Sequence, residues 1–476
     1  MVSETTQTQV QAAPYSKRWL ALFLLCMAEF IVIMDTSIIG VALPAIKNDL
    51  GYSQSDLQWI FNAYVIVFGG FLLLGGRLSD LFGARKVFMW GFGILTIASL
   101  LAGIAWSEAS LNIGRAFQGL GAALIAPSAL VLLLAKFTDP KELNRALGFW
   151  GASAAAGGSA GVFLGGAITQ WLSWHWVFLI NIPIGLVVLF LSRALLLKGA
   201  GRKGSIDVGG AILGTAAFIV MVYAIVAAES NGWQSMQTWT MLVLSFALLF
   251  AFVFLQKRKK EPLMPLSVFK AFNLAAGNGV MALMAAAWIP LWFFLNLYLQ
   301  QILDLPAFNS GLALLPMTIT IMAFMMIITG KLMARFGIRR NLVAGLLSLS
   351  ISLFLFSNAP VNGSYLAHVL PASLLGAIGM SLAYIPGTVA AISGVRPQES
   401  GLASGLVNTS YQIGSALGLA VIVAISSAKT NSLKLAGTTH IPALNDGFRT
   451  AFLAAAVISL LGAFIAAICI KKANKP

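Results

Sequence analysis

GRLSDLFGARK, from Gly76 to Lys86, returns 254 positions later as GKLMARFGIRR, from Gly330 to Arg340. Both copies keep Gly, a basic residue and Leu, then Phe-Gly followed by a basic pair, in one register. A short loop motif repeated between apolar runs marks a chain built from duplicated halves. The copies differ at one telling place: Asp80 in the first is Ala334 in the second.

The runs around these loops are too apolar for water. Of 476 residues, 59% are hydrophobic and 9% charged, more apolar surface than a soluble fold of this size hides. Segments long enough to cross a bilayer, about 20 residues each, fall at about 19–43, 56–75, 86–106, 111–135, 144–170, 174–196, 207–228, 238–256, 270–299, 311–332, 340–358, 364–388, 402–426 and 449–470. The expected fold class is an all-α polytopic membrane protein with 14 transmembrane helices. The repeated loops lie eight helices apart, so these read as 6+2+6. The expected domains are an N-terminal tail (1–18), a six-helix bundle (19–197), a linker with two additional helices (198–269), a second bundle (270–471) and a short tail (472–476). LLLKGAGRKGSIDVG (195–209) and QKRKKEPLMP (256–265) form the seams.

An even helix count puts both termini on one side, and charge says which. Apart from Lys47, Lys429, Lys434, Arg449 and the intramembrane Arg115, the 30 Lys and Arg fall on the terminal side. That bias makes the terminal side cytoplasmic, and it accounts for the net charge of +15. No basic domain stands apart from the spans, which argues against a nucleic-acid partner. Cys26 and Cys469 lie in the first and last spans and frame no disulfide network. His175, His368 and His440 are scattered, so no metal site is expected. The glycines from Gly76 onward lack the GxxxxGK[ST] pattern, so ATP is not the driver. No cofactor is expected, and no enzyme chemistry.

Few charges remain inside the spans. FIVIMDTSIIGVALP (30–44) encloses Asp35, and Glu29 precedes it. Counted from Trp19 at about 1.5 Å per residue, Glu29 lies about 15 Å in and Asp35 about 24 Å in. At 3.6 residues per turn the two point about 120° apart, so they are not a pair on one face. Intramembrane acids are costly and usually line a pathway. GRAFQGLGAA (114–123) adds Arg115, with Gln118 on its helical face; Arg115 is close enough to the outer interface to snorkel there instead. The fifth span repeats Gly157, Gly161 and Gly165 every four residues, with Gly166 beside them, which suits close helix packing. Trp171, Trp174, His175 and Trp176 read as an aromatic belt. Asn62, Trp292, Asn296, Asn408, Tyr411 and Gln412, with Gln118, are candidate cavity walls, or helix-packing residues instead.

MDTSIIGVALP (34–44), GRLSDLFGARK, GRAFQGLGAA, WHWVFLINIPIG (174–185) and SGLASGLVNTSYQIGSALG (400–418) stand in order along nearly the whole chain. In this the chain resembles the fourteen-helix drug:proton antiporters of the major facilitator superfamily. The resemblance implies the major facilitator fold, a cytoplasmic latch at Gly76, Asp80, Gly83, Arg85 and Lys86, and a proton-coupling role for Arg115. The glycine helix matches the antiporter motif, except that Val162 stands where the family has proline.

A proton-driven exporter of lipophilic, chiefly cationic compounds is therefore expected, a monomer in the cytoplasmic membrane of a bacterium. Asp35 and Glu29 are its candidate proton and substrate carboxylates. Rival readings are a dedicated exporter of one metabolite, an uncoupled facilitator or importer, and a non-transporting receptor or membrane enzyme.

Overall fold

The computed structural model describes residues 15–137, 139–196, 207–259, 262–264, 266–395 and 400–471. Residues 197–206 of the seam expected at 195–209, residues 260, 261 and 265 of the one expected at 256–265, the first 14 residues and the tail at 472–476 lie outside the described residues. Among the described residues fourteen helices are long and apolar enough to span a membrane. They are α1 (Tyr15–Leu50), α2 (Trp59–Phe82), α3 (Ala84–Gly103), α4 (Glu108–Lys136), α5 (Pro140–Trp171), α6 (His175–Leu195), α7 (Val208–Asn231), α8 (Met236–Arg258), α9 (Leu274–Ile302), α10 (Ala307–Phe336), α11 (Ile338–Phe356), α12 (Tyr365–Ile392), α13 (Ser400–Leu435) and α14 (His440–Cys469). Only closed helices satisfy every backbone group in lipid, and no strand occurs among the described residues.

The first six helices pack on one another, as do the last six. Between them α7 lies against α2 and α13, while α8 touches the rest chiefly through α7 and is largely open to lipid. Asp207 caps α7 by accepting from the Gly210 N–H at 2.7 Å and also binds Gln256 and Lys259 at the end of α8. Gln256 in turn accepts the Met264 N–H at 2.9 Å. The two additional helices thus form one stapled hairpin.

The repeated loops repeat in geometry too. Gly83 (φ 89°) ends α2 and Gly337 (φ 83°) ends α10, each donating its N–H to the carbonyl four residues back. Both occupy the left-handed region that glycine enters without a Cβ penalty, so an identical short turn joins each helix to the next.

Two expectations are corrected. Residues 426–448, which the spans expected at 402–426 and 449–470 leave as the longest outer loop, an ordered lid or a tether, are mostly helix: α13 runs to Leu435 and α14 starts at His440. The extensions stay helical because they pack together where Gly447 meets Thr430 and Ser426. The connection is therefore neither lid nor tether. Trp174 is not part of a lipid-facing belt; it is buried, stacks on His175 and donates Nε1–H to Asp49 at 2.8 Å. Trp171 and Trp176 do remain exposed.

The halves meet mainly on the side away from the termini, called outer below because loop charge leads one to expect the termini in the cytoplasm. A single apolar cluster joins the outer ends of α1 and α2, Ile38 to Leu43 with Ile60 and Phe61, to the core of the second bundle. The inner core of the first bundle is a second cluster, which also takes in Val222 and Ile225 of α7 and Ala416, Ala420 and Ala424 of α13. Polar ties seal the outer join: Gln300 donates to the Val41 carbonyl at 2.9 Å, Gln54 to Gln301 at 3.3 Å, and the Phe308 N–H to Gln170 at 2.9 Å. The molecule is closed on its outer side.

Candidate functional site

Asp35 lies beneath that closure, fully buried. Its Oδ2 accepts from Arg115 Nη1 at 2.5 Å, and its Oδ1 accepts from Asn181 Nδ2 at 2.9 Å and Gln118 Nε2 at 3.2 Å. The sequence separations are 80, 146 and 83 residues, so α1, α4 and α6 must all pack for the site to exist. Arg115 is equally buried and does not snorkel. Its Nε donates to the Ile60 carbonyl at 2.9 Å, Nη1 also reaches Gln118 Oε1 at 2.7 Å, and its guanidinium lies 4.5 Å from the centre of the Tyr64 ring. Gln118 donates onward to Ser99 at 2.8 Å.

A buried ion pair holds only if its remaining hydrogen-bonding groups are satisfied. Here three are not: among the described residues Arg115 Nη2, the Tyr64 hydroxyl and Asn181 Oδ1 have no partner. Unsatisfied buried groups are costly and cluster at functional sites. Such a network can hold a charge pair in one conformation and give it up in another.

Glu29 is placed differently. It is half-buried one and a half turns toward the inner side, with no hydrogen bond or ion pair among the described residues. Counted along α12, Tyr384 of the second bundle also lies in the inner half. Tyr384 packs edge-on against Tyr411, ring centres 5.6 Å apart. Asn408, one turn before Tyr411, is exposed. Glu29, Tyr384, Tyr411 and Asn408 therefore share the inner side, where the halves are less tightly joined.

The remaining wall candidates part company. Asn62, Trp292 and Asn296 are buried in the outer closure, Trp292 and Asn296 lying over Gly40 of α1. In this conformation they face packed side chains, as does Gln118. Gln412 lies against Gly69 at the α2–α13 seam, where Thr409 also donates to the Gly69 carbonyl.

The glycine ladder faces α1. A Cβ at Gly157 would sit 2.5 Å from the Phe30 carbonyl oxygen, and one at Gly165 would sit 2.5 Å from that of Ile38. Gly161 lies against Met34 and Ser37. Gly166 faces the other way, onto Ala307 of α10, and the Val162 carbonyl lies close to Gly311. The ladder brings α5 near enough to α1 to hold the turn that carries Asp35. At the inner loop, Asp80 and Lys86 are exposed, Asp80 forms no bond among the described residues, and Arg85 donates to the Leu196 carbonyl at the end of α6. Gly76 and Gly83 flank this loop, and Gly76 packs loosely on Pro127.

Asn181, Ser99 and Tyr64 escape a reading by residue type. The signal for Asn181 was slight: an amide in an apolar run, at the break of α6 around Ile180 and two residues before Pro183.

The comparisons agree with this architecture. The model of the Major Facilitator Superfamily matches residues 25–419. The chain is 36% identical to the cephamycin export protein CmcT of Amycolatopsis lactamdurans, over 92% of this chain and 91% of that one. It is 35% identical to the puromycin resistance protein pur8 of Streptomyces alboniger, over 88% and 83%. Among solved structures, the peptide transporter PepTSo matches 94% of this chain and 98% of its own with TM-score 0.67, at 16% identity, a likeness of fold. On its matched sequence, its fourteen spans and its duplicated loops, the chain belongs to the Major Facilitator Superfamily.

Proposed function

We propose that this protein exports small drug-like molecules across the cytoplasmic membrane of a bacterium, exchanging them for protons by alternating access. The observation that carries the reading is the buried Asp35–Arg115 pair under the outer closure. A proton on Asp35 would cancel one half of that pair and leave Arg115 as an uncompensated buried charge, which is strongly unfavourable. Protonation and the closed outer side therefore compete, so a proton arriving from outside changes which face is open.

Glu29 takes the other task. Facing the inner side without a bonded partner, beside Tyr384 and Tyr411, it can meet a cation whose apolar body packs on the tyrosine rings. Relatives named for cephamycin export, puromycin resistance and multidrug resistance support export of drug-like cargo. Both termini lie in the cytoplasm in this reading, and the working unit is the monomer.

A second reading has its own support: several relatives are named for one antibiotic each, including tetracenomycin C and lincomycin. In that case the cargo is a single compound. The test is substrate-triggered proton release from purified protein, with a panel of lipophilic cations and the antibiotics named for the relatives. Release by several unrelated cations supports multidrug exchange, and release by one compound alone supports the dedicated exporter. Transport that persists unchanged with Asp35→Asn and Glu29→Gln together would overturn the coupling scheme.

A further inference from the structure

On the lipid side of the second bundle, away from the site above, α11 and α14 leave a groove of about 260 Å³. Ile351 and Phe354 line it from α11, and Leu453, Ala456, Val457 and Leu460 from α14. Its floor is tight, since Ser350 Oγ donates to the Ala456 carbonyl at 2.9 Å. Its walls are open, with Phe354 56% and Val457 51% exposed.

Depth decides what can fill it. Residues 450–469 of α14 carry no charge, and at about 1.5 Å per residue they span roughly 30 Å, one hydrocarbon thickness. The groove runs inward from the outer end of that stretch. Arg449 stands at its mouth, on the helical face shared by Leu453, Ala456 and Leu460. It is fixed there because Nε donates to the Ser357 carbonyl just past the end of α11 at 2.8 Å and Nη1 donates to Asp446 Oδ1 at 3.0 Å. The two side chains are 42% and 41% exposed. Among the described residues Arg449 Nη2 and Asp446 Oδ2 form no hydrogen bond, so one cationic and one anionic group stand free side by side on these part-exposed side chains.

We propose that this groove binds a phospholipid of the outer leaflet whose headgroup carries both a phosphate and a primary ammonium, that is, a phosphatidylethanolamine. One acyl chain lies along Phe354, Val457 and Leu460. The phosphate accepts from the Arg449 guanidinium, and the ammonium donates to Asp446. A guanidinium matches phosphate geometry, and both contacts are charge-assisted. An anionic headgroup without an amine would meet Asp446 unfavourably, and a quaternary ammonium offers no N–H to it.

The test is lipid retention by the purified, delipidated full chain, read by native mass spectrometry during titration with phosphatidylethanolamine, phosphatidylcholine or phosphatidylglycerol. The expected result is one tightly held phosphatidylethanolamine and roughly tenfold weaker retention of the other two, the scale of one charge-assisted bond. Asp446→Asn should erase the preference for the primary amine. Val457→Trp, which fills an exposed wall without touching the headgroup pair, should weaken all three lipids. Equal retention of the three lipids by the wild type overturns the headgroup assignment. Retention unaffected by either variant, or a stable dimer that excludes lipid from this face, overturns the site.

Discussion

Asp35 and Arg115 depend on one another more than on their neighbours. Asp35→Asn removes the anion while Arg115 stays buried beneath Ile60 and Tyr64, so a loss of about 3–5 kcal/mol is expected. Thermal unfolding of the purified protein measures it. The double variant Asp35→Asn with Arg115→Gln should recover most of that stability and none of the transport, because a neutral network packs but holds no exchangeable charge. Recovery of transport in the double variant would assign the pair a structural role. Glu29→Gln should behave oppositely: half-buried and unbonded, it should unfold at nearly the wild-type temperature while losing cation-triggered proton release. A Glu29→Gln protein that releases protons normally would remove Glu29 from the exchange.

At the level of elements, the α1–α5 contact rests on missing side chains. Gly157→Ala would push a methyl group to 2.5 Å from the Phe30 carbonyl oxygen, at an expected cost of about 1–3 kcal/mol and with loss of transport as the Asp35 turn shifts. Gly148→Ala, on the same helix with nothing within 4 Å of the added atom, is the matched control and should be neutral in both assays. The α7–α8 hairpin makes a prediction in pH. Burial alone would raise the Asp207 carboxyl, but hydrogen bonds from Lys259, Gln256 and the Gly210 N–H outweigh it and hold Asp207 below its usual range. A depressed carboxylate stabilises the folded form above its unfolded value and ceases to do so as pH falls through the folded one. Hydrogen exchange in the first turn of α7 should therefore stay slow at neutral pH, and protection should fall below about pH 4. Asp207→Ala should abolish that dependence and cost about 1–2 kcal/mol as a lost cap and ion pair.

For the whole molecule, alternating access requires the outer ties to break. Gln54 and Gln301 lie in different bundles with their side-chain tips 3.3 Å apart. In a background with Cys26 and Cys469 replaced by Ser, cysteines at 54 and 301 should be joined by a short bifunctional thiol reagent, and transport should stop until the link is cleaved. Continued transport by the linked protein would mean that these ends never part. A cysteine at 80 reports the opposite face. Exposed now, it should lose reactivity when conditions favour the outward-open form and the inner loop closes.

Legibility from sequence followed the range of the forces involved. Fourteen spans and the duplicated halves were legible because hydropathy and a repeated turn are properties of contiguous residues. The positive φ shared by Gly83 and Gly337 is the clearest instance: one short motif, read twice, makes a similar turn twice. Asp35, Glu29 and Arg115 stood out because a charge within lipid is expensive wherever it sits. Helical geometry even separated the two acids before any contact was known. The helical extensions beyond residue 426 were not legible, because polar residues there are held by a crossing at Gly447 that local sequence does not announce. Nor were the partners of Asp35. Asn181 and Gln118 are ordinary amides until α4 and α6 close against α1, and which wall residues lie in the outer closure depends on how two bundles tilt. Composition and periodicity determined that the chain crosses the membrane and where; only tertiary packing decided which buried charges meet, because a pair 80 residues apart in sequence becomes a pair through helix contacts and through nothing else.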